Sequence, residues 1–258
     1  MRPILVTGST DGIGLAAAGL LVAAGRPVIV HGKDPARGAA VAADLRARHP
    51  GAVVGSITAD LRDPGAIAGM ADTIREDHGG LAALVNNAGI YMRTRVLTPE
   101  GLESTFAVNA LAPYRVARAL EPLLSPPGRM VNVASIAHFS TTSIDWKNLQ
   151  GERRYDGYAA YSLSKLGVVL MTWAMAARGL EAVSLHPGVC ATKLLAAGFP
   201  GSRGQPAEHG GAHEARLATA ETVEPGAYYD QSTRVRASAL ARDPGVAGRW
   251  CRLLQSFG

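Results

Sequence analysis

The fold is decided by residues 7–14, which read Thr-Gly-Ser-Thr-Asp-Gly-Ile-Gly. The apolar run 4–6 leads into this turn, and the alanine-rich segment 15–24 follows it. This order predicts a strand, a glycine turn and a helix. Glycines let backbone N–H groups approach a ligand, and the helix presents its positive end to a pyrophosphate. Because the spacing is not G-x-G-x-x-G, a purely structural glycine turn remains an alternative.

Strand and helix patterns alternate along the rest of the chain. This alternation predicts an α/β protein with a doubly wound parallel sheet of about seven strands and helices on both faces. No repeat or linker divides the chain, so we expect a single domain, residues 1–258. The predicted strands are 4–7, 27–33, 52–57, 81–85, 128–135, 180–185 and 227–229, and the longer predicted helices are 15–24, 64–77, 99–124 and 158–177.

Two polar stretches lie outside these elements. Residues 136–157 are irregular, and residues 199–211 are rich in glycine and polar side chains. The second stretch is typical of a mobile lid, which we place around residues 196–215. We expect both stretches to shape a substrate pocket.

Composition narrows the classes of partner. Hydrophobic residues make up 47% of the 258 residues, enough for a large core. The net charge of +5 is dispersed without interleaved aromatics, so we expect an anionic small molecule rather than nucleic acid. Cys190 and Cys251 have no metal or disulfide spacing, which predicts a reducing, cytoplasmic location. The longest apolar run, 15–24, is too short to span a membrane.

Two histidines have a spacing found in some metal sites. His209 and His213 lie four residues apart and could bind a metal if they were helical. Gly210 and Gly211 argue against a firm helix, and no third ligand is evident. We therefore predict no metal site.

Tyr161 and Lys165 are the strongest candidates for chemistry. Residues four apart on a helix share one face, so the lysine ammonium can act on the phenol. A phenol titrates near ~10, and a nearby positive charge lowers that pKa and makes the hydroxyl a usable general acid or base. Alone, such a pair arises often by chance. Tyr158 lacks this property because its partner four residues on is Ser162.

The end of the second strand indicates which dinucleotide is bound. An NAD site would place a carboxylate about 20 residues past the glycines. The chain has Gly32 and Lys33 there, with Arg37 one turn into the next helix. This basic pair favours NADP(H) over NAD(H). Solvated surface charges are the alternative, and the nearby Asp34 leaves NAD open.

Three further polar positions fit a ligand site. Residues 86–89, Asn-Asn-Ala-Gly, follow the fourth strand, and Ser135 ends the fifth, at the sheet edge where ligands bind. Asn109 lies in the apolar middle of a helix, where an amide is unfavourable unless it has a function. Local turn hydrogen bonds and helix capping are the alternatives for the asparagines at 86–87 and for Ser135.

Together these motifs resemble the short-chain dehydrogenase/reductase family. The matching set, from residue 3 to about residue 192, is Thr7-Gly-x3-Gly12-x-Gly14, Asp60, Asn86-Asn87-Ala88-Gly89, Asn109, Ser135, Tyr161-x3-Lys165, Pro187-Gly188 and Thr192. The stretches 135–138 and 154–166 are similar to the retinol dehydrogenase and protochlorophyllide reductase branch. The resemblance implies a Rossmann fold and a nicotinamide cofactor. The branch implies bulky apolar carbonyl substrates and a preference for NADP.

The resemblance also implies residue roles. Tyr161 would be the general acid/base, and Lys165 would hold the nicotinamide ribose and lower the tyrosine pKa. Ser135 would bind the substrate oxygen, and Asn109 would anchor a water in a proton relay. The expected catalytic residues are Asn109, Ser135, Tyr161 and Lys165. The expected cofactor-binding residues are Gly8, Ser9, Thr10, Asp11, Gly12, Ile13, Gly14, Lys33, Arg37, Asp60, Leu61, Asn87, Ala88, Gly89, Tyr161, Lys165, Pro187, Gly188, Val189 and Thr192.

The expected function is hydride transfer between the nicotinamide of NADP(H) and a carbonyl or alcohol carbon of a bulky, apolar small molecule. A dehydratase or epimerase is disfavoured because no large C-terminal sugar-binding region is present. A cofactor-sensing regulatory protein would not need all four catalytic positions. The family also implies a homodimer or homotetramer. The chain departs from the family in the long interval from Ser135 to Tyr161 and in the short stretch 171–183.

Overall fold

The computed structural model describes residues 1–126 and 128–258. Its strands form one sheet in the order β3-β2-β1-β4-β5-β6-β7-β8. They are β1 Ile4–Val6, β2 Val28–Gly32, β3 Val54–Thr58, β4 Leu81–Asn86, β5 Leu124–Val133, β6 Ala182–His186, β7 Tyr228–Asp230 and β8 Thr233–Val235. The doubly wound α/β fold predicted from the alternation is thus confirmed.

The strand count is slightly higher than predicted. The strands β1 to β7 are parallel to their neighbours, and β8 is added antiparallel to β7. Gln231 turns the chain between β7 and β8 with a φ of 57°. A three-residue strand with exposed polar side chains has no alternating pattern to read, which explains why β8 was missed.

Helices cover both faces of the sheet. They are α1 Gly12–Ala23, α2 Pro35–Arg48, α3 Pro64–His78, α4 Ser104–Phe106, α5 Ala112–Leu120, α6 Gly157–Ala176, α7 Lys193–Gly198, α8 Ala207–Thr219 and α9 Pro244–Gln255. Helices α1, α2 and α8 pack on one face, against side chains such as Val6 and Val131. Helices α3, α5 and α6 pack on the other, against Leu5 and Met130. Both faces are therefore buried, as expected for parallel strands.

The predicted helix 99–124 is shorter and irregular. It begins at Ser104, passes through a π-helix over Ala107–Leu111, and continues as α5. Pro113 has no N–H to give to the carbonyl four residues earlier, and the π-helix lies just before it. The strand predicted to begin at 128 begins at Leu124.

The predicted lid around 196–215 is only partly irregular. Residues 207–215 belong to α8, which packs on α1. A Cβ at Gly211 would lie 2.6 Å from the backbone nitrogen of Ala17. The glycines that suggested mobility therefore allow two helices to approach closely. The lid itself remains a prediction.

Helix α6 is long and apolar enough to cross a membrane by length and composition alone. However, 67% of its apolar window is buried in the fold. A Cβ at Gly167 would lie 2.2 Å from the ring of Trp250 on α9, so the two helices are in tight contact. The apolar surface of α6 is accounted for by packing on the sheet and on α9.

Candidate active site

A cleft of about 990 Å³ opens at the carboxyl ends of the strands. The glycine turn lines one end, and Ser135 and Tyr161 line the other. Of the predicted site residues, the cleft is lined by Gly8, Thr10, Asp11, Gly12, Ile13, Gly14, Lys33, Asp60, Leu61, Asn87, Ala88, Gly89, Ser135, Tyr161, Lys165, Pro187, Gly188, Val189 and Thr192. Ser9, Arg37 and Asn109 are not part of this lining, and each forms hydrogen bonds with other groups.

The glycine turn depends on its lack of side chains. Gly8 and Gly12 have φ values of 64° and 54°, which other residues rarely adopt. A Cβ at Gly14 would lie 2.3 Å from the Asn87 amide nitrogen, which donates to the Thr7 carbonyl at 2.7 Å. Asn87 therefore braces the turn from β4.

A histidine that the sequence reasoning missed also supports the turn. Nδ1 of the buried His31 accepts the N–H of Gly8 at 3.1 Å, and the His31 N–H donates to the Ser9 hydroxyl at 2.9 Å. Burial lowers the pKa of His31 to about 4, so the ring is neutral and can accept this bond. The signal available in the sequence was a polar residue at the end of an apolar strand, next to the glycine turn.

The end of β2 carries no carboxylate, and a side chain at Gly32 would crowd Thr10. A Cβ at Gly32 would lie 2.7 Å from the Thr10 methyl group. Asp34 accepts the Arg37 N–H at 3.1 Å and caps α2. The Arg37 guanidinium donates to the Thr10 carbonyl at 3.2 Å and pairs with Asp11. The carboxylate that could have favoured NAD is therefore engaged in capping.

Besides Lys33, a second cation lines the cleft: Arg62, which follows β3. Arg62 pairs with Asp60, and its hydrogen bond is the largest cause of the lowered pKa of that carboxyl. Lys33 contributes a smaller lowering by charge. Both Lys33 and Arg62 line the cleft, and Arg62 was not singled out from the sequence.

Tyr161, Lys165 and Ser135 converge at the other end. Tyr161 and Lys165 are 6% and 3% exposed. The Lys165 Nζ donates to the Val133 carbonyl at 2.8 Å and lies 5.8 Å from the centre of the Tyr161 ring. Ser135 caps the turn after β5 by accepting the Ala137 N–H at 3.1 Å. The predicted catalytic residues on β5 and α6 therefore share one wall of the cleft.

Asn109 reaches the same place from the π-helix. Its Oδ1 accepts the Ile90 N–H, and its Nδ2 donates to the Ile90 carbonyl, each at 2.8 Å. Nδ2 also donates to the Ser164 hydroxyl at 3.2 Å. A Cβ at Gly89 would lie 3.5 Å from both the Asn109 Oδ1 and the Lys165 Nζ. The amide thus holds the loop after β4 beside the lysine.

The expected lowering of the tyrosine pKa is not found. Burial raises the pKa of Tyr161 to about 12, and the hydrogen bond with Ser135 opposes this only in part. Burial lowers the pKa of Lys165 to about 8. Desolvation is thus the largest influence on the phenol, and the hydroxyl keeps its proton at neutral pH.

Aromatic side chains that were not predicted as site residues surround Tyr161. The Tyr91 ring lies 5.5 Å from that of Tyr161 and 5.4 Å from that of Phe199, and Tyr158 lies 5.9 Å from Phe199. Tyr158 is 41% exposed, with its hydroxyl 2.9 Å from that of Ser140. These rings come from three separate segments, so only the tertiary fold brings them together.

The mouth of the cleft is apolar. Large hydrophobic side chains there are 42% to 52% exposed, namely Val96, Ile136, Phe139 and Val189. Arg93, at one side of the mouth, donates to the Ala197 carbonyl at the end of α7 at 2.6 Å. Ala197 also lies within the predicted lid, so the first residues of this lid contact the loop after β4.

The His209–His213 pair is on a helix after all. The two Nε2 atoms are 3.5 Å apart, and each ring is engaged by the turn after β7, through Gln231 and Ser232. The described residues contain no group of three or more metal-ligating side chains.

The donor set at the glycine end fits a dinucleotide. Close backbone approach at the glycine turn, the start of α1 and the cations Lys33 and Arg62 are the groups that pyrophosphate and phosphate oxygens require. At the other end, a protonated phenol and an ammonium lie beside an apolar pocket.

Comparison with known proteins gives consistent matches. A family model described as short chain dehydrogenase matches residues 2–201. Retinol dehydrogenase 12 of Mus musculus is 32% identical, with 98% of this chain and 86% of that protein covered. A short chain dehydrogenase from Burkholderia cenocepacia J2315, solved in complex with NADP, has a TM-score of 0.72 and 27% identity, with 90% of this chain and 96% of that chain covered. An uncharacterized protein from Mycobacterium Paratuberculosis has a TM-score of 0.81 and 26% identity, with 99% and 94% covered.

Proposed function

The chain belongs to the short-chain dehydrogenase family, as an NAD(P)-dependent oxidoreductase of the retinol dehydrogenase-like branch, and from this premise we propose the reaction it performs. It reduces a bulky, apolar ketone or aldehyde with NADPH and catalyses the reverse oxidation of the matching alcohol. The observation that carries the proposal is the convergence of Tyr161, Lys165 and Ser135 in the cleft that the glycine turn also lines.

In the proposed reaction, Ser135, Tyr161 and Lys165 have different roles at the substrate oxygen. The bound dinucleotide supplies the hydride, and the protein supplies position and protons. The Ser135 hydroxyl holds the carbonyl oxygen, and the protonated Tyr161 donates its proton to that oxygen as negative charge develops. Lys165 places a positive charge beside the phenol and stabilises the phenolate that remains. Asn109 keeps the loop after β4 beside Lys165.

Several features support a preference for NADP(H). Gly32 provides no acidic side chain at the end of β2, and Asp34 is occupied as a helix cap. Lys33 lines the cleft beside this point, and Arg37 follows one turn into α2. A phosphate on the ribose would therefore meet cations, whereas a free hydroxyl would find no carboxylate. The Burkholderia cenocepacia relative, which is 27% identical, was solved with NADP.

The preference for a bulky apolar substrate rests on the pocket around Tyr161. Phe199 and Tyr158 line the cleft, and exposed Ile136, Phe139 and Val96 surround its mouth. Such a surface gains free energy by burying an apolar ligand.

The test is NADPH and NADH consumption with carbonyl compounds of graded size, run for the wild type and for Tyr161→Phe. We expect turnover with NADPH that rises with apolar size and disappears in the variant. If the wild-type protein binds NADPH and reduces none of a broad set of apolar aldehydes and ketones, the proposed reaction is wrong.

A further inference from the structure

A buried carboxylate outside the catalytic set lies just before α4. Glu103 is 1% exposed, and it forms no ion pair within residues 1–126 and 128–258. Its two oxygens accept the N–H groups of Thr105 at 2.8 Å and of Phe106 at 2.7 Å. A buried carboxylate without a cation must be stabilised by hydrogen bonds, and these two bonds start the helix.

Tyr155 adds a hydroxyl to this cluster. It lies 3.2 Å from a Glu103 carboxylate oxygen and 3.0 Å from the Met92 carbonyl, and it donates its single proton to one of them at a time. Thr105, with its hydroxyl 3.4 Å from that of Tyr155, completes the cluster. Burial raises the pKa of Tyr155 to about 12, so the phenol stays a donor at neutral pH.

The cluster joins the two elements that carry the catalytic side chains. Helix α4, which Glu103 starts, leads directly into the π-helix that carries Asn109. Met92 lies in the loop after β4 that Asn109 clamps at Ile90. On the other side, a Cβ at Gly157, the first residue of α6, would lie 2.5 Å from the Met92 carbonyl. The start of α6, the helix that carries Tyr161, therefore packs directly against the Met92 carbonyl.

A second link runs parallel to the first. The Glu103 N–H donates to the Gln150 side-chain oxygen at 2.8 Å, and Arg95 donates to the Gln150 carbonyl at 2.8 Å. Both Gln150 and Tyr155 belong to the long interval between Ser135 and Tyr161. The extra residues of this interval thus reach across to the segment before α4.

We propose that Glu103 and Tyr155 are positioning residues that hold the Asn109 amide and the loop after β4 in register with Tyr161. The effect on turnover rests on the proposed function. The ordering of segment 104–111 does not rest on the proposed function, because the two residues should stabilise this segment whether or not a substrate is known.

The experiment compares Tyr155→Phe, which removes one hydroxyl and keeps the ring, with wild type. Tyr114→Phe is the matched control, because the Tyr114 hydroxyl makes no hydrogen bond within the described residues. We expect amide hydrogen exchange over 104–111 to become about tenfold faster in Tyr155→Phe, the change expected from losing one hydrogen bond to a charged group. The control should exchange like wild type.

With a working substrate, kcat of Tyr155→Phe should fall about tenfold while the NADPH dissociation constant stays within about twofold. If Tyr155 acts through Asn109, the double variant Tyr155→Phe/Asn109→Ala is no slower than Asn109→Ala alone. Unchanged exchange over 104–111, or additive losses in the double variant, would overturn the proposal. Faster exchange in a protein that reduces no carbonyl would leave the positioning part standing and count against the proposed reaction only.

Discussion

At one end of the cleft the backbone of residues 7–14 forms the lining, whereas at the other end the lining is formed by side chains of α6 and by Ser135, just after β5. The glycine end is held by bonds to backbone groups, such as Asn87 to the Thr7 carbonyl and His31 to the Gly8 N–H. The catalytic end is assembled from Ser135, Tyr161 and Asn109 on separate elements. Holding the cofactor and moving a proton should therefore be separable by mutation, and the following variants test that separation.

Among these variants, the largest expected effect is at the Tyr161 end of the cleft, and only Tyr161→Phe should lose more. Ser135→Ala removes the hydroxyl that opposes the raised pKa of Tyr161, and that we propose binds the substrate oxygen. Loss of one such donor typically lowers kcat by about 10²–10³-fold. NADPH binding should stay unchanged in a fluorescence titration, and Ser135→Thr should restore part of the rate. A Ser135→Ala protein that turns over normally would remove this residue from the chemistry.

The next effect is at the glycine end. Gly14→Ala introduces a methyl group 2.3 Å from the Asn87 amide nitrogen, and overpacking of this kind costs about 1–3 kcal/mol. We expect a lower free energy of unfolding and weaker NADPH binding together. Gly19→Ala, in the same helix, meets only Leu45 at 3.7 Å and should stabilise by about 0.5–1 kcal/mol. Equal stability of the two variants in urea denaturation would contradict this account of the turn.

The support of the turn by His31 should appear as a pH dependence of stability. Its folded pKa of about 4 lies below the ordinary 6.5, so the unfolded chain binds more protons between these values. Stability should therefore be fully present above pH 6.5 and fall as the pH drops to 4 and below, by about 3 kcal/mol in total. His31→Gln should lose this part of the dependence. An identical pH profile of unfolding in both proteins would show that His31 does not titrate in this way.

The smallest expected effect concerns the choice of cofactor. Lys33→Ala should weaken NADPH binding by about tenfold and leave NADH binding unchanged, because one cation to a phosphate is worth roughly 1.4 kcal/mol. The exposed Lys147 outside the cleft provides the control as Lys147→Ala. Equal losses for both dinucleotides would separate Lys33 from the phosphate.

The same contrast explains what could be predicted from the sequence. Some features depend only on neighbours within a few residues, so a local sequence pattern reveals them. These are the glycine turn, the alternation of strands and helices, and the Tyr161–Lys165 spacing. His31, Phe199 and Glu103 matter through partners far along the chain, and no local pattern marks those partners. These side chains could be assigned only once the fold had placed their partners.

The errors have the same origin. The glycines at 210 and 211 were interpreted as flexible because they disfavour an isolated helix, but packing against α1 requires small residues there. The pKa of Tyr161 was expected to fall because the lysine spacing is local, whereas the burial that raises it is a property of the whole fold. In the first case tertiary packing outweighed local helix propensity, and in the second case burial outweighed the effect expected from the local spacing.

The most direct test of this account is a stopped-flow measurement of NADPH affinity and single-turnover hydride transfer in wild type, Tyr161→Phe and Lys33→Ala. The account predicts that Tyr161→Phe retains NADPH affinity and loses about 10²–10⁴-fold in rate. Lys33→Ala should lose affinity and retain the rate at saturating NADPH. If each variant loses affinity and rate together, the two ends of the cleft do not act separately and the central claim is wrong.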